Sequence, residues 1–172
     1  MNVVATAELN QFVDLDRLVH IEGFRYDPDI YRCAYLKDTR TRGKVSIFSM
    51  GKMIAAGSKS FDDARLDLEH GTRKLAALGL VKAIELTVKL QNVVATGDMG
   101  KSIDIEKLST KLPSVIYEPE QFPGAIYYAE ELEGASVLVF ANGRVVFAGL
   151  KTNQLLDVAK QVLEGLSRLV LT

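Results

Sequence analysis

Hydrophobic residues in this chain alternate with polar ones over short stretches that are bounded by Gly, Pro and Asp. Such alternation is typical of β-strands, because successive side chains of a strand point to opposite faces of its sheet. Two longer stretches, Ser60–Gly79 and Thr152–Leu171, instead place apolar residues three and four apart. That spacing predicts an amphipathic helix in each stretch. Ser60, with Asp63 three residues on, and Thr152 are the candidate N-caps.

The same pattern of apolar and polar residues occurs twice along the chain. NVVATAEL (Asn2–Leu9) recurs as NVVATGDM (Asn92–Met99), 90 residues later. Two other pairs keep this register to within two residues, namely YDPDIY (Tyr26–Tyr31) with YEPEQF (Tyr117–Phe122) and IFSMGKMIAAGSK (Ile47–Lys59) with VFANGRVVFAGLK (Val139–Lys151). Each copy reads as a strand, a short helix, four strands and a long helix. We therefore predict a tandem duplication, with repeats over residues 1–81 and 82–172 that pack as pseudo-symmetric halves of one body.

The middle of each repeat predicts a β-hairpin with two apolar faces. A three-residue loop that ends in Gly suits both copies, and it places Phe48 opposite Lys52 and Phe140 opposite Arg144. The residues of one face, which the long helices would cover, are Val45, Ile47, Met53, Ala55, Val137, Val139, Val145 and Phe147. The other face is also largely apolar, and no predicted helix is left to cover it. It is either a binding surface or a surface buried by other helices or by a dimer partner.

Composition narrows the classes of function. The 172 residues include one cysteine and two histidines, which excludes an intramolecular disulfide and argues against a Cys/His zinc site. The formal net charge of −1 gives no general attraction to nucleic acid, so a DNA-binding role needs a local basic patch. No signal peptide or apolar span of about 20 residues is present, which predicts an intracellular protein. Without a nucleophile–base pair or a phosphate-binding loop, we expect neither an enzyme nor a cofactor.

Several motifs together resemble the TATA-box-binding proteins of archaea and eukaryotes. They are the repeated N-V-V-A-T, Y-E-P-E-Q-F-P-G at Tyr117–Gly124, and F-x-x-G-[KR]-x-x-x-x-G in both repeats. The resemblance covers essentially the whole chain. It implies an α+β saddle in which the two repeats form one curved antiparallel sheet with the helices on its convex face. The concave face would bind the minor groove of A·T-rich promoter DNA and bend it. The short N-terminus indicates an archaeal-type protein of the cytoplasm, at the nucleoid; a eukaryotic member would be nuclear.

The resemblance also implies roles for individual residues on the concave face. Those expected to contact bases are Asn2, Val4, Ile54, Ala56, Asn92, Val94, Leu138, Val146 and Ala148. Those expected to wedge between base steps are Tyr31, Phe48, Phe122 and Phe140. Those expected to meet phosphates at the rim are Lys37, Arg42, Lys52, Lys59, Arg144 and Lys151.

Protein partners are implied as well. The family binds a transcription factor of the B class through a loop of the second repeat, and RNA polymerase is recruited indirectly. The corresponding residues here are Glu118, Glu120, Gln121, Pro123 and Gly124. Neither a membrane nor a small-molecule substrate is expected.

The chain departs from the family at two places. Tyr31 stands where a fourth wedge Phe is expected, and no Pro-Gly follows it. The first repeat has the basic loop Lys37–Lys44, whereas the second has the acidic segment Tyr128–Gly134. The leading hypothesis is a general transcription initiation factor. The alternative is a divergent paralogue that regulates transcription mainly through proteins and binds DNA weakly. A third possibility, an accessory domain of a nuclease or glycosylase, is disfavoured because both repeats are complete and no catalytic domain follows.

Overall fold

A computed structural model describes residues 1–171, which divide into two compact units. The first unit is Met1–Gln91, and the second begins at Asn92. Within each unit, an antiparallel sheet carries one long helix. The predicted order of a strand, a short helix, four strands and a long helix is confirmed in both.

The first unit contains five strands. They are β1 (Asn2–Glu8), β2 (Phe24–Arg25), β3 (Ala34–Leu36), β4 (Lys44–Ile47) and β5 (Lys52–Ser58), in the spatial order β2-β3-β4-β5-β1. A 3₁₀ turn at Leu15–Leu18 follows β1, and helix α1 (Phe61–Ala77) follows β5. The short helix of this unit is therefore a single tight turn.

The second unit repeats this arrangement. Its strands are β6 (Lys89–Asp98, whose first three residues precede Asn92), β7 (Val115–Ile116), β8 (Gly124–Tyr128), β9 (Ser136–Phe140) and β10 (Arg144–Leu150), in the spatial order β6-β10-β9-β8-β7. Helix α2 (Ile105–Lys111) follows β6, a 3₁₀ turn at Glu130–Leu132 follows β8, and α3 (Leu155–Leu171) follows β10.

Both hairpins have the predicted register. Ser46 pairs with Ile54, and Leu138 pairs with Val146. Gly51 has φ +92°, a left-handed conformation that a side chain rarely adopts. A Cβ there would also collide with the Gln11 carbonyl. Glycine therefore fixes the loop and, through it, which residues share a face.

One face of each sheet forms the core, as predicted. All eight hairpin residues assigned to the covered face are at most 3% exposed, and they are Val45, Ile47, Met53, Ala55, Val137, Val139, Val145 and Phe147. The helices bring apolar residues to this layer, among them Leu68 and Leu75 of α1 and Leu155 and Leu166 of α3. At Gly71, α1 packs so closely on the sheet that an added Cβ would lie 2.9 Å from the Met53 side chain.

The two helix starts differ from each other. Ser60 caps α1 as predicted, since its side chain accepts a hydrogen bond from the Asp63 backbone N–H at 3.0 Å. The prediction that Thr152 caps α3 is wrong, because that helix begins at Leu155. The polar residues before it form a turn instead, with the Asn153 carbonyl accepting from the Leu156 N–H at 3.1 Å. Those residues have no apolar face to bury, so nothing holds them in a helix.

A buried carboxylate joins α1 to the strands beneath it. Asp67 is fully buried, and its two oxygens accept hydrogen bonds from the backbone N–H groups of Arg42 (2.9 Å) and Gly43 (2.7 Å) and from the Ser58 hydroxyl (3.0 Å). Burying a charge is costly unless it is hydrogen-bonded, and these three donors meet that cost. Asp67 therefore anchors the loop before β4.

A second carboxylate, Asp38, anchors the loop after β3. It contacts His70 Nε2 at 2.9 Å and Lys74 Nζ at 3.0 Å, both from α1, and accepts from the Arg40 backbone N–H at 2.9 Å. Burial alone would raise the pKa of Asp38, but the hydrogen bonds from His70, Lys74 and Arg40 outweigh burial and hold the pKa well below its usual range. The carboxylate is therefore charged at neutral pH.

Candidate nucleic-acid interface

The face of each sheet opposite its helix is defined by rows of paired residues, and we call it the open face. In the first unit one row runs across four strands as Tyr35, Ser46, Ile54 and Thr6. In the second unit the corresponding row is Ile126, Leu138, Val146 and Thr96. None of these residues is buried, whereas the hairpin residues next to them on the other face, such as Val45, Val137 and Val145, are buried.

A neighbouring row adds the remaining predicted base-contact residues. In the first unit, Ala56 pairs with both Val4 and Lys44. In the second, Ala148 pairs with Ser136, and Val94 lies two residues from Thr96 on β6. The structure thus brings each unit's predicted apolar base contacts together on its open face.

The two asparagines stand at equivalent strand positions but in different environments. The Asn2 Oδ1 accepts a hydrogen bond from the Gly57 backbone N–H at 2.8 Å. The Asn92 Oδ1 is buried and has no hydrogen-bond partner among the described residues. Buried polar atoms are nearly always paired, so an unpaired one marks a place where a partner can be gained.

The two predicted wedges of the second unit contact each other. The rings of Phe122 and Phe140 lie edge to face with centroids 5.8 Å apart. Gly124 sits beneath both, and a Cβ there would lie 3.0 Å from the Phe122 ring and 3.1 Å from the Phe140 ring. Glycine at this position therefore permits the aromatic pair.

The first unit is built differently at this point. Cys33, buried, occupies the strand position that corresponds to Gly124. Tyr31 makes its edge-to-face contact with Tyr35, at 5.3 Å between centroids. Arg25 lies 5.7 Å from the Tyr31 ring, and the Lys44 ammonium lies 4.3 Å from the Tyr35 ring. Tyr31 is thus part of a row in which two adjacent aromatic rings have a cationic group at each end.

Sequence reasoning missed Tyr35 and Lys44. A hydrogen bond with the Cys33 side chain, with a smaller contribution from burial, raises the pKa of Tyr35, so its phenol stays neutral at physiological pH. The place of Lys44 on the open face could have been predicted from the alternation of β4, where Lys44, Ser46 and Phe48 share one face. Strand β3, with three residues, is too short for alternation to show its register.

The predicted phosphate-binding residues fall into two groups. Lys52, Lys59, Arg144 and Lys151 are exposed at strand ends. Lys37 instead donates hydrogen bonds to three carbonyls of its own loop, the closest being that of Gly43 at 2.7 Å. The Arg42 guanidinium contacts the Asp63 carboxylate at 2.7 Å. These last two residues are already engaged within the unit.

Carboxylates that sequence reasoning also missed lie beside the exposed cations. Glu8 pairs in register with Lys52, and Asp98 pairs with Arg144. Both carboxylates occupy open-face positions of β1 and β6 and are exposed. They reduce the local positive charge at the ends of the hairpins.

The predicted partner loop is a tight turn. The Glu118 carbonyl accepts hydrogen bonds from the N–H groups of Gln121 and Phe122, both at 2.9 Å. Glu118, Glu120, Gln121 and Pro123 are exposed, whereas Gly124 is buried at the start of β8. The same turn in the first unit has the Asp27 carbonyl accepting from Tyr31 at 2.8 Å. The loop thus presents acidic side chains outward while it positions Phe122.

Two other kinds of site are absent from the described part of the chain. There, no group of three His, Cys, Asp or Glu side chains is arranged to hold a metal ion. Among the described helices, none has both the length and the apolar character needed to cross a membrane.

The chain is similar to known proteins both in sequence and in structure. The model of a family described as "Transcription factor TFIID (or TATA-binding protein, TBP)" matches residues 1–78 and 87–169. The TATA-box-binding protein of Cenarchaeum symbiosum is 34% identical over 154 residues, covering 88% of this chain and 84% of that protein. The protein of the same name from Thermococcus kodakarensis is 31% identical, covering 89% and 80%. The solved structure of Methanococcus jannaschii TBP is similar with a TM-score of 0.80 at 28% identity, covering 98% of this chain and 97% of that one.

Proposed function

Because this chain belongs to the TATA-binding protein family, a family of DNA-binding transcription factors rather than of enzymes, we propose that it binds the minor groove of A·T-rich promoter DNA and bends it. The expected family, of archaeal type, and its α+β fold are confirmed by the match to an archaeal member over 98% of the chain. One observation carries the finer proposal. The predicted base contacts and wedges of each unit share an open face that its helix leaves free.

The chemistry of that face suits the minor groove of A·T pairs. There A·T and T·A pairs present only acceptors, whereas a G·C pair adds the amino group of guanine. Apolar side chains such as Leu138 and Val146 can lie against A·T edges but would leave a guanine amino group unpaired. The Asn2 and Asn92 amides can donate to the acceptors, and the exposed Lys and Arg can meet phosphates.

The direct test is binding to a duplex of about one helical turn, A·T-rich or G·C-rich, at several salt concentrations. We expect preference for the A·T-rich duplex and a fall of log K with log salt. Lys52→Ala or Arg144→Ala should each flatten the slope by up to about one unit, with little change in sequence preference, because each removes one phosphate contact. Lys160→Ala, which removes an exposed cation on α3, is the matched control. Indifference to a drug that occupies the minor groove would refute the proposal.

Asn92→Asp should weaken DNA binding several-fold or more while the protein stays folded. The change removes the N–H groups that would donate to base acceptors and places a carboxylate against them. Fluorescence anisotropy measures the affinity, and circular dichroism checks the fold. Asn153→Asp makes the same chemical change at an exposed turn before α3 and should have no effect. Near wild-type affinity of Asn92→Asp would exclude Asn92 from the interface.

We further propose that the loop Glu118–Gly124 binds a transcription factor of the B class, through which RNA polymerase is recruited. Its exposed Glu118 and Glu120 offer negative charge to a basic partner surface, which aids encounter and orientation. Repeats 1–81 and 82–172 would each contact half of the element, in the cytoplasm at the nucleoid.

Glu120→Lys should weaken the ternary complex with DNA and the B-class factor about tenfold and leave binary DNA binding nearly intact, because charge reversal repels a basic partner. Mobility-shift titrations of both complexes measure the two affinities. Glu106→Lys, a reversal at an exposed position of α2, is the control. Equal losses in the two titrations would mean that the loop acts only through DNA.

The structure also gives a reason to keep the alternative, a paralogue that acts mainly through proteins. Glu8 and Asp98 oppose two of the predicted phosphate-binding cations, and Lys37 and Arg42 are engaged within the first unit. Weak, salt-insensitive binding to every duplex, together with retained binding of the B-class transcription factor, would favour this alternative.

A further inference from the structure

The open faces of the two units differ at two positions of one row. Ser46 in the first unit stands where the second has Leu138, and Tyr35 stands where the second has Ile126. Both changes replace an aliphatic side chain by one that carries a hydroxyl. The other two positions of the row are of the same kind in both units, Ile54 with Val146 and Thr6 with Thr96.

We propose that Ser46, with Tyr35 beside it, lets the first unit accept a G·C pair in the minor groove, whereas the second unit requires A·T. This inference rests on the proposed function and adds to it a difference in base preference between the two halves. Because it concerns sequence specificity, it is measured as the ratio of the affinity for an A·T-rich duplex to the affinity for a duplex that contains a G·C pair.

Hydrogen-bond chemistry supports the assignment. The guanine amino group is the only donor that base pairs present in the minor groove. A serine hydroxyl has two acceptor lone pairs and can pair with it, whereas a leucine side chain has none. Leucine would also be pressed against the amino group, while serine is smaller and leaves room for it.

The neighbours of Ser46 favour the same chemistry. Strand pairing places it between Tyr35 and Ile54 on the half-exposed open face. The Lys44 ammonium over the Tyr35 ring fixes that ring beside the serine. The phenol supplies a second hydroxyl that can donate or accept.

Packing of the core does not require these two differences between the units. On the covered face, Val45 and Ile47 flank Ser46, and Val137 and Val139 flank Leu138; all four are 0% exposed. The two cores therefore use the same kind of residue at these positions. The difference is confined to the face proposed to meet DNA.

The experiment uses an A·T-rich duplex and variants of it with one G·C pair in one half or in each half. A duplex with inosine in place of guanine lacks only the amino group. A dye on Arg73→Cys, exposed on α1, and a dye at one DNA end report the orientation by energy transfer. We expect wild-type protein to tolerate one G·C pair and to place its first unit on that half. It should bind the duplex with two G·C pairs about tenfold more weakly.

Matched substitutions separate the two units. Ser46→Leu should raise the ratio of A·T affinity to single-G·C affinity about tenfold. Replacing the guanine by inosine should return this ratio to its wild-type value, because inosine lacks the amino group. Leu138→Ser should lower the penalty of the second G·C pair. Ser114→Leu, the same change at an exposed residue before β7, should leave all ratios unchanged.

The outcomes distinguish this inference from the proposed function. If A·T binding occurs but the ratios and the orientation are the same for Ser46→Leu and wild type, the inference alone is overturned. If wild-type protein binds no duplex, the proposed function falls and the inference falls with it.

Discussion

Asp67→Ala is expected to destabilise the fold by about 3 kcal/mol, because it leaves buried donors without an acceptor. The N–H groups of Arg42 and Gly43 and the Ser58 hydroxyl all donate to this fully buried carboxylate. The new methyl group cannot accept a hydrogen bond from any of them, and the position is fully buried. Denaturation by urea gives the free energy of unfolding, and the thermal midpoint should fall by about 10 °C.

The control lies on the same helix. Glu69 forms an ion pair with Arg65 at 2.7 Å, with both side chains partly exposed. Surface pairs of this kind contribute between about 0 and 1 kcal/mol, so Glu69→Ala should be nearly neutral. Asp67→Asn should fall between the two variants, because its amide keeps one acceptor oxygen. If Asp67→Ala costs no more than Glu69→Ala, the buried network does not stabilise the loop.

Phe122→Ala is expected to reduce DNA bending and binding far more than Tyr31→Ala. Separating a base step costs a few kcal/mol, and only an apolar group held in place recovers it. Phe122 is held against Phe140 above Gly124. Tyr31 is turned to Tyr35, with Arg25 near its ring. The second unit should therefore kink the DNA more fully than the first.

Energy transfer between dyes at the DNA ends measures the bend. Phe122→Ala should lower the transfer clearly and the affinity by about tenfold or more, whereas Tyr31→Phe should increase the bend. Phe12→Ala, which removes a ring that is 68% exposed outside the strands, is the control. A loss of bending by Tyr31→Ala as large as that by Phe122→Ala would show that the tyrosine is a full wedge.

Much of the fold followed from short-range rules. Glycine at the end of each hairpin loop determined the register, and the register determined which residues are buried. The Ser60 cap followed from a residue three positions away. The prediction of an N-cap at Thr152 was wrong because a cap residue needs an apolar run directly after it, and the residues from 152 to 154 form a turn.

The parts that sequence could not predict depend on distant contacts or on very short elements. Asp67 meets donors 24 and 25 residues away, which no periodicity reveals. The contact of Tyr31 with Tyr35 depends on the position of a three-residue strand, which is too short for alternation to reveal. Open-face residues of the hairpins, such as Ile54, Leu138 and Val146, were predicted because alternation along the strands separates the two faces, whereas Tyr35, Lys44, Glu8 and Asp98 were missed. Their assignment to DNA contacts stays a prediction.

The separation of a covered face from an open face has a consequence for how such a protein can evolve. A substitution at an open-face position such as Ser46 leaves the packing of Val45 and Ile47 untouched, so it carries little penalty for folding. After the ancestral gene doubled, each copy could therefore drift toward its own binding preference while both kept one architecture. A symmetric ancestral protein could in this way come to bind an asymmetric DNA element in one orientation, and so distinguish upstream from downstream.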